Sequence, residues 1–106
     1  MANHKQNVYN EKDEQLAKYA KALAHPARIA ILRQLALMDT CCFGDINCEL
    51  PLSQSTVSQH LLELKNAGII QGCLEPPKVK YCINKENWED LKIIMKEFFN
   101  TEINKK

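Results

Sequence analysis

The sequence predicts a single, mainly helical domain that carries a small β-hairpin near its carboxyl end. Apolar side chains recur at helical spacing along most of the chain. Alternation typical of strands is found on both sides of residues 75–78, where two prolines indicate a turn. The length of 106 residues supports one modest core. We therefore expect an amino-terminal arm over residues 1–10, a domain over residues 11–100 and a tail over residues 101–106.

The composition is that of an ordinary globular protein, with 45% hydrophobic and 25% charged residues. No apolar run is long enough for a signal peptide or a membrane span, so we expect a cytoplasmic protein without membrane contact. Five cysteines, an odd number, argue against a disulfide framework in that reducing compartment and raise metal or redox sensing. The formal net charge is only +1, so attraction to nucleic acid would have to come from local charge placement or from dimerisation.

The first predicted helix begins at Asn10 or Glu11 and ends at Leu23. Acidic residues at its start suit the helix dipole. One side of this helix is apolar and should face the core: Leu16, Tyr19, Ala20 and Leu23.

Pro26 opens a second helix, over residues 26–38, because proline suits the first helical position. Its surface is apolar almost all round, which predicts the central helix of the core, with Arg28 and Arg33 reaching outward. A short third helix is expected over residues 43–50. Pro51 ends it, since the residue before a proline avoids helical geometry.

A fourth helix is predicted between Ser53 as its amino-terminal cap and Gly68 as its left-handed carboxyl cap. Its core-facing stripe is Val57, Leu61 and Leu64, at i, i+4 and i+7. The first two turns otherwise carry short, uncharged polar side chains, which can hydrogen-bond to base edges or phosphate oxygens. These residues are Gln54, Ser55, Thr56, Ser58 and Gln59. This helix predicts DNA recognition.

Strands are expected over residues 69–74 and 79–83, and a last helix over residues 85–100. The inner face of the hairpin should carry Ile70, Leu74, Val79, Tyr81 and Ile83. The apolar band of the last helix is too broad for one small core to cover. It consists of Trp88, Leu91, Ile94, Met95, Phe98 and Phe99. We expect this band to form a dimer interface together with the first helix.

The order of four helices, hairpin and helix describes a winged helix-turn-helix. In that architecture the second helix of the turn motif enters the major groove and the hairpin, or wing, contacts the DNA backbone or minor groove. The sequence also resembles the ArsR/SmtB family of metal-responsive repressors over about residues 16–100. The resemblance lies in the proline-arginine segment of residues 22–32, the segment of residues 53–61 with Leu64, and residues 67–70 and 81–84.

The resemblance implies a homodimer, joined by its first and last helices, on a palindromic double-stranded operator that it leaves when an effector binds. By position, the fourth helix would contact DNA through its polar face, and Lys78 and Lys80 would belong to the wing. His60 would either anchor the helix or reach a phosphate, and a hydrogen-bonded structural histidine is the equal alternative. The DNA-contacting set is then Gln54, Ser55, Thr56, Ser58, Gln59, His60, Lys78 and Lys80.

Arsenic- and cadmium-sensing members of the family carry a Cys-x-Cys-Asp motif at the start of the third helix. Here Cys42 lies on the first motif cysteine, Gly44 replaces the second, and Cys41 is an additional thiol. Thiolates prefer thiophilic ions, so arsenite or antimonite is the expected effector, with zinc or cadmium possible and no obligatory cofactor. Three thiolates are needed for trivalent arsenic, and Cys48 can join only if the helix is distorted.

Cys73 and Cys82 share the outward face of the wing with Lys80 and would approach each other diagonally. The role of these two cysteines stays open. A second hypothesis keeps the same repressor but makes its cysteines, without singling any out, a redox or persulfide switch. A third is a metal-binding or interaction module without DNA binding. An enzyme is not expected. The chain has no C-x-x-C motif for a thiol oxidoreductase and too few histidines to assemble a hydrolytic site.

Overall fold

A computed structural model of the chain describes residues 8–37, 54–75 and 78–104. Within these ranges the helices are α1 (Glu11–Leu23), α2 (Pro26–Leu37), α3 (Gln54–Asn66) and α4 (Lys85–Phe99). The strands are β1 (Ile70–Glu75) and β2 (Lys78–Ile83). The predicted helix over residues 43–50 and the predicted cap at Ser53 lie outside the described residues. The division into arm, domain and tail stays a prediction.

The predicted starts of α1 and α2 are confirmed, and each has a local cause. Asn10 caps α1, because its side-chain oxygen accepts a 2.7 Å hydrogen bond from the backbone N–H of Asp13. At the start of α2, Nδ1 of His25 accepts a 3.0 Å hydrogen bond from the backbone N–H of Ala27. The first backbone N–H groups of a helix have no partner within that helix. The hydrogen bond to His25 supplies a partner for one of them at the start of α2.

One core joins the four helices to the base of the hairpin. The predicted stripe of α3 is confirmed, since Val57 is 2% exposed, Leu61 8% and Leu64 0%. On α1, however, Ala22 is buried and Ala20 is exposed, the reverse of the expectation for Ala20. Helix α1 contacts α2 and α3 as well as α4, and packing against several helices decides which side of α1 is buried. The other buried apolar residues are Tyr19, Ile31, Leu32, Leu35, Ala67, Ile69, Ile70, Leu91 and Ile94.

The hairpin is antiparallel, with Ile70 opposite Ile83 and Glu75 opposite Lys78. Each strand extends one residue further into the predicted turn than the sequence indicated. Gly68 ends the α3 segment with φ of +84°, the left-handed conformation that glycine adopts without strain. Asn84 links β2 to α4, since its side chain accepts from the N–H of Asn87 and its own N–H donates to the carbonyl oxygen of Ile69.

The predicted fold class, a winged helix-turn-helix made mostly of helices, is confirmed. Helix α4 buries Leu91 and Ile94 against the core but leaves Phe98 54% and Phe99 74% exposed. Within the described ranges, none of the helices combines the length and apolar character that crossing a bilayer requires.

Candidate nucleic-acid interface

Helix α3 presents a polar surface on the side opposite its buried stripe. Ser55, Thr56, Ser58 and Gln59 are exposed, and Val57 between them is buried. The helix is therefore held by its apolar side while its first two turns stay accessible. The structure thus brings four of the five predicted polar residues onto one accessible surface; the side chain of Gln54 lies outside the described part of the chain.

Gln59 is held in place by its own helix. Its Nε2 donates a 3.2 Å hydrogen bond to Oε2 of Glu63, one turn further on. The side-chain amide of glutamine has a second N–H and a carbonyl oxygen. That remaining donor and acceptor are the pair that a bidentate contact with adenine uses.

His60 is buried, with 8% of its surface exposed, on the inner side of α3. Nε of Arg28 donates a 3.1 Å hydrogen bond to its Nδ1, and the ring of His25 lies with its centroid 4.4 Å away. The sequence left two alternatives for His60, a contact with DNA or a structural role inside the protein. This buried position fits the structural role. Burial lowers the pKa of His60 below its usual value, and the nearby His25 and Arg28 lower it further, so the ring is kept neutral.

Arg28 does not reach outward as predicted. Its Nη1 also donates to the backbone carbonyl oxygens of Ala22 at 3.3 Å and Lys21 at 3.5 Å. The guanidinium thus joins the end of α1 to the middle of α3. Sequence spacing could have indicated this, because Arg28 shares a helical face with Leu32 and Leu35, both buried. Arg33 is exposed, as expected.

The wing places its lysines at defined register positions. Lys78 lies opposite Glu75 and Lys80 opposite Cys73 in the backbone pairing. The side chains of Lys78 and Lys80 lie outside the described part, so their contact with DNA stays a prediction.

Two cysteines lie in the described part of the chain, Cys73 through its backbone and Cys82 with its side chain. Cys82 is half-buried and disulfide-bonded, which departs from the expectation of reduced cysteines. The backbone register sets Cys82 opposite Gln71 and Cys73 opposite Lys80, the diagonal relationship that the sequence predicted for the two wing cysteines. The predicted ligands Cys41, Cys42 and Cys48 lie outside the described residues. The described residues contain no cluster of three or more potential metal ligands.

Comparisons of this sequence with known proteins identify one family. Residues 25–71 match the family model described as "Bacterial regulatory protein, arsR family". The chain is 36% identical over 73 residues to the HTH-type transcriptional regulator CmtR of Mycobacterium tuberculosis, a match that covers 68% of this chain and 60% of CmtR. This match therefore spans less than two thirds of CmtR.

One further relative supports the same family, and one solved structure supports the fold. The chain is 31% identical over 87 residues to the "Cadmium resistance transcriptional regulatory protein CadC homolog" of Staphylococcus aureus, covering 82% of this chain and 72% of that protein. Its fold is similar to that of an ArsR-like transcriptional regulator from Rhodococcus sp. RHA1, with a TM-score of 0.70, 18% identity and coverage of 83% and 82%. The relatives are regulators of transcription rather than enzymes. The chain belongs to the ArsR family of bacterial regulatory proteins.

Proposed function

We propose that this protein is a cytoplasmic transcriptional repressor that leaves its DNA operator when a thiophilic ion binds its cysteine thiolates. The carrying observation is the surface of α3, where Ser55, Thr56, Ser58 and Gln59 are exposed above a buried apolar stripe. Such a helix meets the two requirements of major-groove readout, a rigid support and accessible donors and acceptors. The exposed side chains occupy the first two turns, the end of a recognition helix that contacts base edges.

The repressor would act as a homodimer on a palindromic operator. Exposed apolar side chains on α4 and at the start of the described chain support this part of the proposal. Phe99 is 74% exposed, Phe98 54%, Ile93 56% and Val8 64%. A second copy that covers these side chains would remove them from water and would place two copies of α3 on one DNA duplex.

Arsenite or antimonite is the proposed effector, and Cys41 and Cys42 the first thiolates to bind it, with Cys48 as a candidate third. Thiolate ligands favour such ions over hard cations. Cadmium is a competing effector, since the name of the Staphylococcus aureus relative associates that protein with cadmium resistance. Binding at residues 41–48 would act on α3 through the predicted preceding helix. Ion and DNA would then weaken each other's binding by the same factor.

Both DNA binding and its release by the ion can be tested by fluorescence anisotropy. The probe is labelled DNA from the region upstream of the protein's own gene. We expect the reduced protein to bind, arsenite to release it, and Cys41→Ser/Cys42→Ser to bind DNA without releasing it. The matched control is Cys73→Ser/Cys82→Ser, which removes the same number of thiols from the wing and should keep the arsenite response. If arsenite releases both variants from DNA equally well, the proposed effector site is refuted. If the wild-type protein shows no sequence-specific DNA binding, the repressor function is refuted.

A cysteine redox switch is the second candidate, because Cys82 is disulfide-bonded. Two thiols would lose two electrons and two protons to an oxidant such as hydrogen peroxide, which becomes water as the S–S bond forms. In this case mild oxidation would change DNA affinity, dithiothreitol would restore it, and arsenite would have no effect. Insensitivity of wild-type DNA binding to both oxidant and reductant would exclude this candidate.

A further inference from the structure

A cleft of about 390 Å³ opens on the surface where α1, α2 and α3 meet. None of its lining residues is among the exposed apolar side chains proposed for the dimer contact. Five of its seven lining residues are polar or charged. The lining residues are Lys18, Lys21, Ala22, Arg28, Glu63, Asn66 and Ala67.

The cleft contains two lysines, Lys18 and Lys21, whose ammonium groups are available to a ligand. Among the described residues, neither makes an ion pair or a side-chain hydrogen bond. Other lysines do, since Lys12 pairs with Glu97 and Lys92 with Glu89, each at 3.0 Å. Lys18 and Lys21 are three residues apart on α1, so their like charges are close together and raise the local positive potential.

Arg28 adds an available pair of donors to the same cleft. Its Nε donates to His60 and its Nη1 to the carbonyl oxygens of Lys21 and Ala22. Nη2 makes no hydrogen bond in the described part of the chain. These contacts hold the guanidinium in a fixed orientation, so its free edge is prepared for an acceptor at little entropic cost.

One carboxylate opposes these cations. Glu63 also lines the cleft, and its Oε2 accepts the hydrogen bond from Gln59. Three cationic side chains therefore face one carboxylate that is already bonded to an amide. The cleft has an excess of positive charge, although the whole chain carries a formal net charge of only +1.

We propose that this cleft binds a phosphate group, with Lys18, Lys21 and Nη2 of Arg28 as its ligands. Guanidinium and ammonium groups are the standard protein partners of phosphate oxygens. Gln59, Glu63 and Asn66 lie along one edge of α3 at i, i+4 and i+7, so the cleft continues the edge that carries a predicted base contact. A backbone phosphate of bound DNA beside that edge is one source. A free phosphorylated molecule, acting on α3 through the Arg28–His60 bond, is the other.

The DNA source rests on the proposed function, whereas binding of free phosphate does not. The test uses Lys18→Gln/Lys21→Gln and, as its control, Lys12→Gln/Lys92→Gln. Both variants lose two positive charges, but the control removes lysines that are already paired. DNA affinity is measured by anisotropy at several chloride concentrations. Inorganic phosphate is titrated separately into DNA-free protein, with backbone amide shifts recorded against chloride at equal ionic strength.

If a DNA phosphate lies in the cleft, the plot of log affinity against log salt should have a shallower slope for the cleft variant than for wild type. The difference is about 0.9 for each phosphate that the protein no longer neutralises. The control would keep the wild-type slope. A free phosphate source would instead give saturable amide shifts around Ala22 and Arg28 that the cleft variant lacks. If the cleft variant matches the control in both measurements, the site is refuted. The phosphate titration decides between the outcomes even if the protein proves not to bind DNA.

Discussion

Arg28 and His60 form a 3.1 Å hydrogen bond that joins the core helix α2 to the inner side of α3. His60 accepts through Nδ1, which requires that this nitrogen carries no proton. A protonated ring would lose the bond and set a positive charge against the guanidinium. The orientation of α3 is therefore tied to the neutral state of one buried histidine.

The stability of the fold should consequently fall as the pH is lowered. Burial first, and then His25 and Arg28, lower the pKa of His60 in the folded protein below the value of 6.5 expected when unfolded. Below that value the unfolded chain binds more protons than the folded chain, so each step down in pH favours unfolding. The stabilisation is complete above about pH 6.5 and is lost as the pH falls toward the lowered pKa of the folded state.

His60→Gln should flatten this pH dependence, because the amide oxygen can accept from Arg28 but does not titrate. The free energy of unfolding is measured by urea titration at pH 7.5, 6.5 and 5.5. Unfolding is followed by the fluorescence of the single tryptophan, Trp88. His25→Gln is the control, since it replaces the exposed partner ring and should leave most of the dependence in place. If the stability of His60→Gln depends on pH as steeply as that of wild type, a group other than His60 causes the dependence.

Gln59→Ala should weaken operator binding without unfolding the protein. Loss of one bidentate base contact costs about 1–3 kcal/mol of binding free energy, or roughly five- to 150-fold in affinity. The free energy of unfolding should change by less than about 0.5 kcal/mol because the side chain is exposed. Thr101→Ala, another exposed polar residue but remote from α3, should keep wild-type affinity. Equal affinities for the two variants would remove Gln59 from the interface.

Phe99→Glu should shift the protein toward monomer. The side chain is 74% exposed in the single chain, so a charge there leaves the core intact but would be costly if buried in the proposed dimer contact. Sedimentation equilibrium would show a dissociation constant at least about tenfold higher than that of wild type. Leu37→Glu changes a residue of similar exposure, 80%, on α2 and should leave the dimer unchanged. A dimer unaffected by both variants would place the interface elsewhere.

Thiol counting tests the disulfide of Cys82. Under non-reducing conditions the unfolded wild-type chain should show at most three free thiols of its five cysteines, because one bond occupies two of them. Cys82→Ser should release its former partner, and peptide mapping then identifies that cysteine. Five free thiols in oxidised wild-type protein would contradict the bond.

The boundaries of the helices could be predicted because their causes are local. Pro26 and Gly68 act on the residues next to them and have the roles that the sequence predicted, and α1 begins at Glu11, one of the two predicted starts. The polar surface of α3 could also be predicted, since the period of one helix separates its two faces. These features need no knowledge of the neighbouring elements.

Long-range partners could not be predicted in the same way. The bond between Arg28 and His60 joins residues 32 positions apart, and its formation depends on how α2 packs against α3. The same limit explains Ala20 and Ala22, because the buried side of α1 depends on which helices pack against it. Helical spacing narrows the choice to one side of a helix, but the packing decides which residues lie at its centre.

The carboxyl end of α3 is fixed to the start of α4 by one side chain. Nδ2 of Asn87 donates a 2.8 Å hydrogen bond to the carbonyl oxygen of Gly68, and the backbone N–H of Asn87 is taken by the Asn84 cap. Gly68 itself is left-handed, and a Cβ added to it would lie 3.1 Å from Nδ2 of Asn87. The end of α3 thus leaves little room for a side chain at residue 68.

A double-mutant cycle separates the two costs of filling that position. Gly68→Ala should destabilise by about 1–2 kcal/mol through the left-handed conformation, and by a further amount through crowding of Asn87. Asn87→Ala should cost about 1 kcal/mol because its hydrogen bond to Gly68 is removed. In the double variant the crowding is gone, so the combined destabilisation should be smaller than the sum of the two single values. Urea unfolding measures all four proteins, and strict additivity would mean that Asn87 moves aside without cost.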